Sequence, residues 1–210
     1  MKKILIVGAG GFGREVYNWI IDSQDQYPDW EVIGFIDDNL SALNGYNYNV
    51  NIISTISDYQ PKINQYLVMA IASPRVKNKI AEMLEGKGAK FETFIHETAL
   101  IGKNVKIGRG VVMCPNSAIT CDVSVGDFVT LNLFSGAGHD AQIDSYTTLS
   151  AHVDVTGFVR IGKRVALGSH ACILPGVSVR DDAVIGAGSV VVKNVKEGQT
   201  VFGNPAKAIM

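Results

Sequence analysis

Three things are scarce in this 210-residue chain, and each scarcity closes off a class of protein. Positive charge is not in excess. Lys and Arg number 19 against 20 Asp and Glu, a net charge of −1, so the basic surface of a dedicated nucleic-acid binder is not expected. Long apolar runs are missing: nothing approaches the ~18 consecutive apolar residues of a membrane span, so no span is expected. Cysteine is limited to Cys114, Cys121 and Cys172, an odd number without close spacing, which argues against a disulfide framework. None of the three stands beside a histidine or other base in sequence, so a thiol nucleophile is not expected either. The apolar run Ile4–Val7 is too short for an export signal and passes directly into glycines. A cytoplasmic protein is the simplest expectation.

What is present is a repeat. Stepping by six from Ile101 meets Ile107, Met113, Ile119, Val125, Leu131, Ala137, Ile143, Leu149, Val155, Ile161, Leu167, Ile173, Val179, Ile185 and Val191. Fifteen of these sixteen residues are large and aliphatic, Ala137 being the exception. The residue four places after each is small or β-branched, as in Val105, Val111, Ser117, Val123 and Val129. A period of six fits neither a helix nor a simple strand. It fits a flat-sided coil in which each hexad supplies a short strand and a corner, and three hexads close one triangle. Both marked positions point inward, and successive coils stack at the ~4.8 Å spacing of β-strands. The array is therefore a parallel β-helix of about five coils, each dependent on its neighbours for a continuous core.

The first 95 residues read differently. Lys3–Val7 is a buried strand, Gly8-Ala9-Gly10-Gly11-Phe12-Gly13 matches GxGxxG, and Arg14–Ile21 carries apolar residues at helical spacing. Such a turn lets backbone N–H groups at a helix N-terminus approach a phosphate. A second strand, Glu31–Ile36, ends in Asp37 and Asp38, where a carboxylate is placed to accept hydrogen bonds from a ribose or a base. A short strand near Asn51–Ile53, an apolar strand Tyr66–Ala72, a helix from Pro74 to Leu84 and a last strand Lys90–Phe94 complete the segment. That length suits a half-sized Rossmann-like sheet holding one nucleotide rather than NAD, although a glycine turn that only packs gives the same pattern. The expected fold is an α/β half-Rossmann-like domain over residues 1–95, followed by an all-β parallel β-helix with a C-terminal cap over 96–210.

Because the hexad rule concerns inward residues, chemistry belongs to outward ones. Around Ala137 the chain runs Gly136-Ala137-Gly138-His139-Asp140. An imidazole that titrates near neutrality beside an orienting carboxylate suits a general base, and it also suits a surface His–Asp pair at a turn. One coil further along the His139 column stands Gly157, which leaves an open slot for a reacting group. His152 and His170 share another column and are expected to stack. A metal centre there is not expected.

The segments Gly8–Val16 (GAGGFGREV), Phe35–Asp38 (FIDD), Gly138–Asp140 (GHD) and Phe202–Ala206 (FGNPA), wrapped around the hexad array, resemble the sialic acid O-acetyltransferase family. That family includes nucleotide-amino-sugar N-acetyltransferases of bacterial glycan pathways. The resemblance implies a left-handed β-helix, a homotrimer and direct acetyl transfer from acetyl-CoA, bound between neighbouring β-helices, to a nucleotide-linked sugar. It implies His139 as the base, supported by Asp140. Gly11, Phe12, Gly13, Asp37, Asp38 and, more weakly, Ala72 would meet the sugar nucleotide, and Asn132, on the substrate side too, matches an asparagine that precedes the active histidine in some members. Thr148, Gly157, Ser169 and Ala187 fall on the acetyl-CoA side. Phe12 and Thr148 replace histidines found in several amino-sugar enzymes, and His152 stands where glycine is common, which points away from a bacillosamine-type acceptor. An amine is favoured over a hydroxyl, because a neutral amine is already nucleophilic. Rival readings are a serine-type O-acetyltransferase, against which the nucleotide-type N-terminal domain speaks, and a non-catalytic nucleotide-sugar or CoA-binding scaffold.

Overall fold

The computed structural model describes residues 1–209, which form an α/β domain packed on the side of a parallel β-helix. The first domain contains β1 (Lys2–Val7), α1 (Gly11–Asp22), β2 (Trp30–Ile36), β3 (Ile52–Ser54), β4 (Gln65–Met69) and α2 (Pro74–Gly86). All four strands are parallel, in the order β3-β2-β1-β4. Alternate residues of β1 point to opposite faces of this sheet. Ile4 and Ile6 pack with Val16 and Ile20 of α1, while Leu5 and Val7 pack with Ala81 and Leu84 of α2. The order of strands reverses at β1, so a crevice opens at the carboxyl ends of β1 and β4.

One expected strand is absent from this sheet. Lys90–Phe94 does not extend it; Phe91 alone bridges Leu67, and Phe94 pairs with Val112 of the β-helix. Phe94 is already committed to the first hexad, because Phe94–Ile95 is itself a strand of the β-helix. The coil therefore begins one hexad before Ile101. The asparagine-rich segment 39–51 is mostly turns, tied to α1 by Arg14 lying 3.8 Å from the Tyr46 ring centre and by Tyr48 edge-on to Tyr17.

The β-helix has three flat faces. Face I contains the strands Phe94–Ile95, Val112–Met113, Thr130–Leu131, Thr148–Leu149, Ala166–Leu167, Val184–Ile185 and Thr200–Phe202. Face II runs from Leu100–Ile101 to Val190–Val191, and face III from Lys106–Ile107 to Ser178–Val179. The inward residues stack in register along each face, as in Met113, Leu131 and Leu149. From Val111 to Val201 they form one core. Polar residues at the small inward positions are satisfied: Ser135 Oγ donates to Asn132 O at 2.7 Å and Thr147 Oγ1 to Gly162 O at 2.8 Å. Each corner turns through a residue at left-handed φ, repeating every six positions through Asp122, Phe128, Phe134 and Asp140. The antiparallel pair Val201–Phe202 and Lys207–Ala208 closes face I.

The α/β domain sits on face I. Arg109 Nε donates to Glu85 Oε1 at 2.8 Å, Arg75 Nε to Asp182 Oδ1 at 3.1 Å, and the Tyr27 hydroxyl bonds both the N–H and the carbonyl of Ile95. In a triangular prism, the vertex opposite face I is the corner between faces II and III.

Candidate active site

That opposite vertex carries His139 and Asp140, between the strands Gly136–Ala137 of face II and Gln142–Ile143 of face III. Asp140 occupies the left-handed corner with φ 60°, a conformation that aspartate tolerates better than most residues. The turn brings its carboxylate to its neighbour, with His139 Nδ1 lying 2.9 Å from Asp140 Oδ2. With Nδ1–H donating to the carboxylate, Nε2 holds the free lone pair. The two side chains are 56% and 45% exposed, so this lone pair is accessible from outside. Phe158, one coil further, stands edge-on to the imidazole at 5.0 Å.

Gly157 lies beneath the ring. A Cβ built there would stand 2.7 Å from His139 Nε2 and 2.8 Å from Cε1. The open slot expected over Gly157 is therefore filled by the imidazole itself, because a glycine is the one residue that lets the ring lean onto the next coil. Ala137 is short in side chain but not in register: it is 3% exposed and pairs between Ile119 and Val155.

The corner between faces I and II carries a second group. Asn132 Oδ1 accepts the N–H of Leu133 at 2.6 Å. Ser169 and Ala187 follow Ala151 along one column, and among the described residues the amides of all three donate to no acceptor in the chain. They form a row of free N–H donors at coil spacing. On the neighbouring column Phe134, His152 and His170 stack, the two imidazoles 4.5 Å apart and 7° from parallel.

Thr148 does not join this group. It lies on face I beneath the α/β domain, 6% exposed, and its hydroxyl donates to Ala72 O at 2.7 Å and accepts from Lys77 Nζ at 2.9 Å. Its expected place on the acetyl-CoA side is corrected: the hydroxyl that would meet a ligand is spent on the contact between domains. Lys77 itself, fully buried, was missed in the sequence, because a lysine in a polar helix segment gives no signal of burial. Its Nζ also donates to Thr130 Oγ1 at 2.8 Å and Phe128 O at 3.0 Å. Burial without a carboxylate partner pushes this ammonium down to about 7.

The third group lines the crevice of the α/β domain. Gly10 and Gly11 have open space where a side chain would stand, whereas a Cβ on Gly13 would fall 2.0 Å from Gly8 O. The first two leave room for a phosphate, and the third lets α1 close onto β1. Phe12 is half-buried and edge-on to Trp19, so its ring belongs partly to the face of α1. The two aspartates part company. Asp37 is engaged at both oxygens, Oδ2 accepting Ala9 N–H and Oδ1 accepting Asn39 N–H, each at 2.7 Å, so it closes the glycine turn. Asp38 accepts from Ile56 N–H at 2.9 Å with Oδ1 and lines a cavity of about 500 Å³ between the 56–57 loop and α2. Ala72 is exposed on the turn between β4 and α2.

Residues 3–84 match the model of the PglD N-terminal domain, and residues 158–193 match that of the hexapeptide repeat of succinyl-transferase. The GDP-perosamine N-acetyltransferase of Escherichia coli O157:H7 is 32% identical over 214 residues, spanning 96% of this chain and 94% of that one. Among solved structures, WeeI from Acinetobacter baumannii AYE is 29% identical with a TM-score of 0.87 over the whole of both chains. The acetyltransferase domain of PglB from Neisseria gonorrhoeae FA1090, in complex with acetyl coenzyme A, is 26% identical with a TM-score of 0.87 over 99% of each chain.

Proposed function

The chain belongs to the family of hexapeptide-repeat sugar acetyltransferases that includes GDP-perosamine N-acetyltransferase, and we propose that it moves the acetyl group of acetyl-CoA onto the amine of a nucleotide-linked sugar, with His139 as general base. The observation that carries the base is the His139–Asp140 pair: Nδ1 is held at 2.9 Å by the carboxylate, and Nε2 is unpartnered on an open vertex. As the amine nitrogen attacks the thioester carbonyl, its proton passes to Nε2 and the C–S bond breaks. The proton then goes to the departing CoA thiolate, so no acyl-enzyme is required. The Asp140 carboxylate holds the ring in the tautomer that keeps Nε2 receptive and stabilises the imidazolium formed during transfer.

The site is composite in this reading. The acceptor crevice of the α/β domain opens beside face I, while His139 stands at the vertex opposite, with the prism between them. A second copy must bring its His139 vertex to the corner of faces I and II, where the free amides of Ala151, Ser169 and Ala187 are placed to bond the carbonyls of an acetyl-CoA arm. A trimer satisfies this geometry by giving every vertex a neighbouring corner. Asp38 is the carboxylate that meets the nucleoside, since its Oδ2 has no partner in the chain among the described residues.

Acetyl transfer from acetyl-CoA to a panel of amino-sugar nucleotides tests both halves. His139→Ala is expected to lower kcat/KM by about 10³, with acetyl-CoA binding retained. Undiminished transfer removes His139 as base. Mixing His139→Ala with an Asp38→Ala variant is expected to restore part of the activity, since some sites then combine an intact histidine with an intact crevice. Absence of recovery in verified mixed oligomers counts against the composite site.

A further inference from the structure

We propose that Lys77 is a positioning residue for acetyl transfer: through Thr148 it fixes where the acceptor crevice stands relative to the β-helix. This rests on the crevice of the α/β domain being the acceptor site. Lys77 is 0% exposed and touches no open surface, so it meets neither substrate. When protonated its ammonium has three hydrogens, and three acceptors lie within 3.0 Å, Phe128 O at 3.0 Å, Thr130 Oγ1 at 2.8 Å and Thr148 Oγ1 at 2.9 Å, with Thr147 O further off at 3.5 Å. All three belong to the β-helix, whereas Lys77 is on the second turn of α2.

The contact is more than an anchor for the helix, because Thr148 passes it on. The same hydroxyl that accepts from Lys77 donates to Ala72 O at 2.7 Å, and the Lys77 amide bonds Ser73 O at 2.8 Å. Lys77, Thr148, Ala72 and Ser73 thus form a closed hydrogen-bonded loop that clamps the β4–α2 turn to face I. The glycine turn moves with it. A Cβ on Gly8 would come within 2.8 Å of Ile71 Cδ1 and 3.1 Å of Ala70 O, so the two crevice walls are already in contact. One buried ammonium therefore sets the distance from the acceptor to the corner of faces I and II. A displacement of about 1 Å at such a joint is enough to lower transfer strongly. The ion pairs Arg109–Glu85 and Arg75–Asp182 hold the same interface from its exposed rim; Arg109–Glu85 lies away from the crevice turn, whereas Arg75 adjoins it.

Four variants separate positioning from bulk stability: Lys77→Met, Thr148→Val, Thr148→Ser and Arg109→Ala. Lys77→Met and Thr148→Val are expected to raise the acceptor KM about 10-fold while the acetyl-CoA KM stays within about twofold. Thr148→Ser keeps a hydroxyl that can accept and donate, and is expected to restore the acceptor KM. Arg109→Ala loosens the rim without that split. Hydrogen exchange supplies a readout that needs no substrate. Amides of residues 77–80, the first in α2 with helical partners, are expected to exchange faster in Lys77→Met and Thr148→Val, with the β-helix amides unchanged, and to be protected again in Thr148→Ser. If Lys77→Met does not fold, the Thr148 pair decides. Equal changes in both KM values, or exchange at residues 77–80 matching that of the wild type, overturn the proposal. If the wild-type protein acetylates no nucleotide sugar, the functional reading fails by itself, and the exchange pattern alone then supports or overturns the clamp.

Discussion

Faces I and III are cut from the same coil, yet one is sealed and the other open. On face I the outward residues Val112, Thr130 and Thr148 are buried under the α/β domain, and Thr130 and Thr148 meet Lys77 there. On face III the equivalent residues Ser124, Gln142, Arg160 and Ser178 line an open polar groove. The inward residues behind both are alike: Met113, Leu131 and Leu149 on one side, Val125, Ile143 and Ile161 on the other. The difference teaches that the inward hexad sets the backbone so completely that outward positions are released to carry assembly and chemistry. His139, the proposed base, is the sharpest case, an outward residue at a corner whose backbone is that of every other corner.

This contrast can be broken most strongly from inside. Leu131→Ala deletes a fully buried residue from the stack shared by adjacent coils and is expected to cost about 3 kcal/mol, read by denaturant unfolding. The outward change Gln142→Ala, one face away, is expected to stay within about 0.5 kcal/mol. Equal costs would remove the division between inward and outward roles. At the corner, Gly157→Ala should do the reverse and leave stability nearly unchanged while lowering kcat about 100-fold. Its methyl would displace the imidazole whose Nε2 lies 2.7 Å from the Cβ position. A variant with wild-type kcat would mean that the ring reacts from another rotamer.

The sealed face is tested through pH. The folded protein holds Lys77 near 7, whereas the ordinary lysine value is 10.5. Below about 7 both states carry the proton, and the cost of burying the charge is fully present. Between the two values the unfolded chain still binds a proton that the folded chain has released, so stability rises with pH at up to about 1.4 kcal/mol per unit. The buried Cys114 thiol, pushed up by burial, acts in the opposite direction at alkaline pH. The difference between wild type and Lys77→Met removes the part of that contribution that does not depend on Lys77, and is expected to shift in favour of the wild type from pH 7 to 9.5. A flat difference would show that the three hydrogen bonds keep the ammonium charged throughout.

The legibility of this molecule in its sequence follows the same division. Inward hexads are a local code: each residue meets its equivalent one coil away, so Ile107, Leu131 or Val155 can be placed by counting. His139 and Asp140 were legible too, being adjacent in the chain, and so was the stacking of His152 on His170. Misreadings came where a partner lies far off in sequence. Thr148 looked like an outward ligand contact because nothing near it announces a domain resting on face I. The hold of Asp37 on the glycine turn gives no local signal either, because its partner Ala9 is 28 residues away. The corners are less legible, because the left-handed positions hold Asn104, Asp122 or Asp182 at some turns and Phe128, Tyr146 or Arg164 at others.

By itself, then, the sequence determined the period, the inward core, the glycine turn and the histidine at a corner, since each depends on neighbours at fixed spacing. The tertiary structure decided which face the α/β domain covers, and with it which hydroxyls are buried, which carboxylate stays open and how far the crevice of the α/β domain lies from His139. Those outcomes depend on contacts such as Lys77 to Thr130, 53 residues apart, for which no periodic pattern exists in the chain.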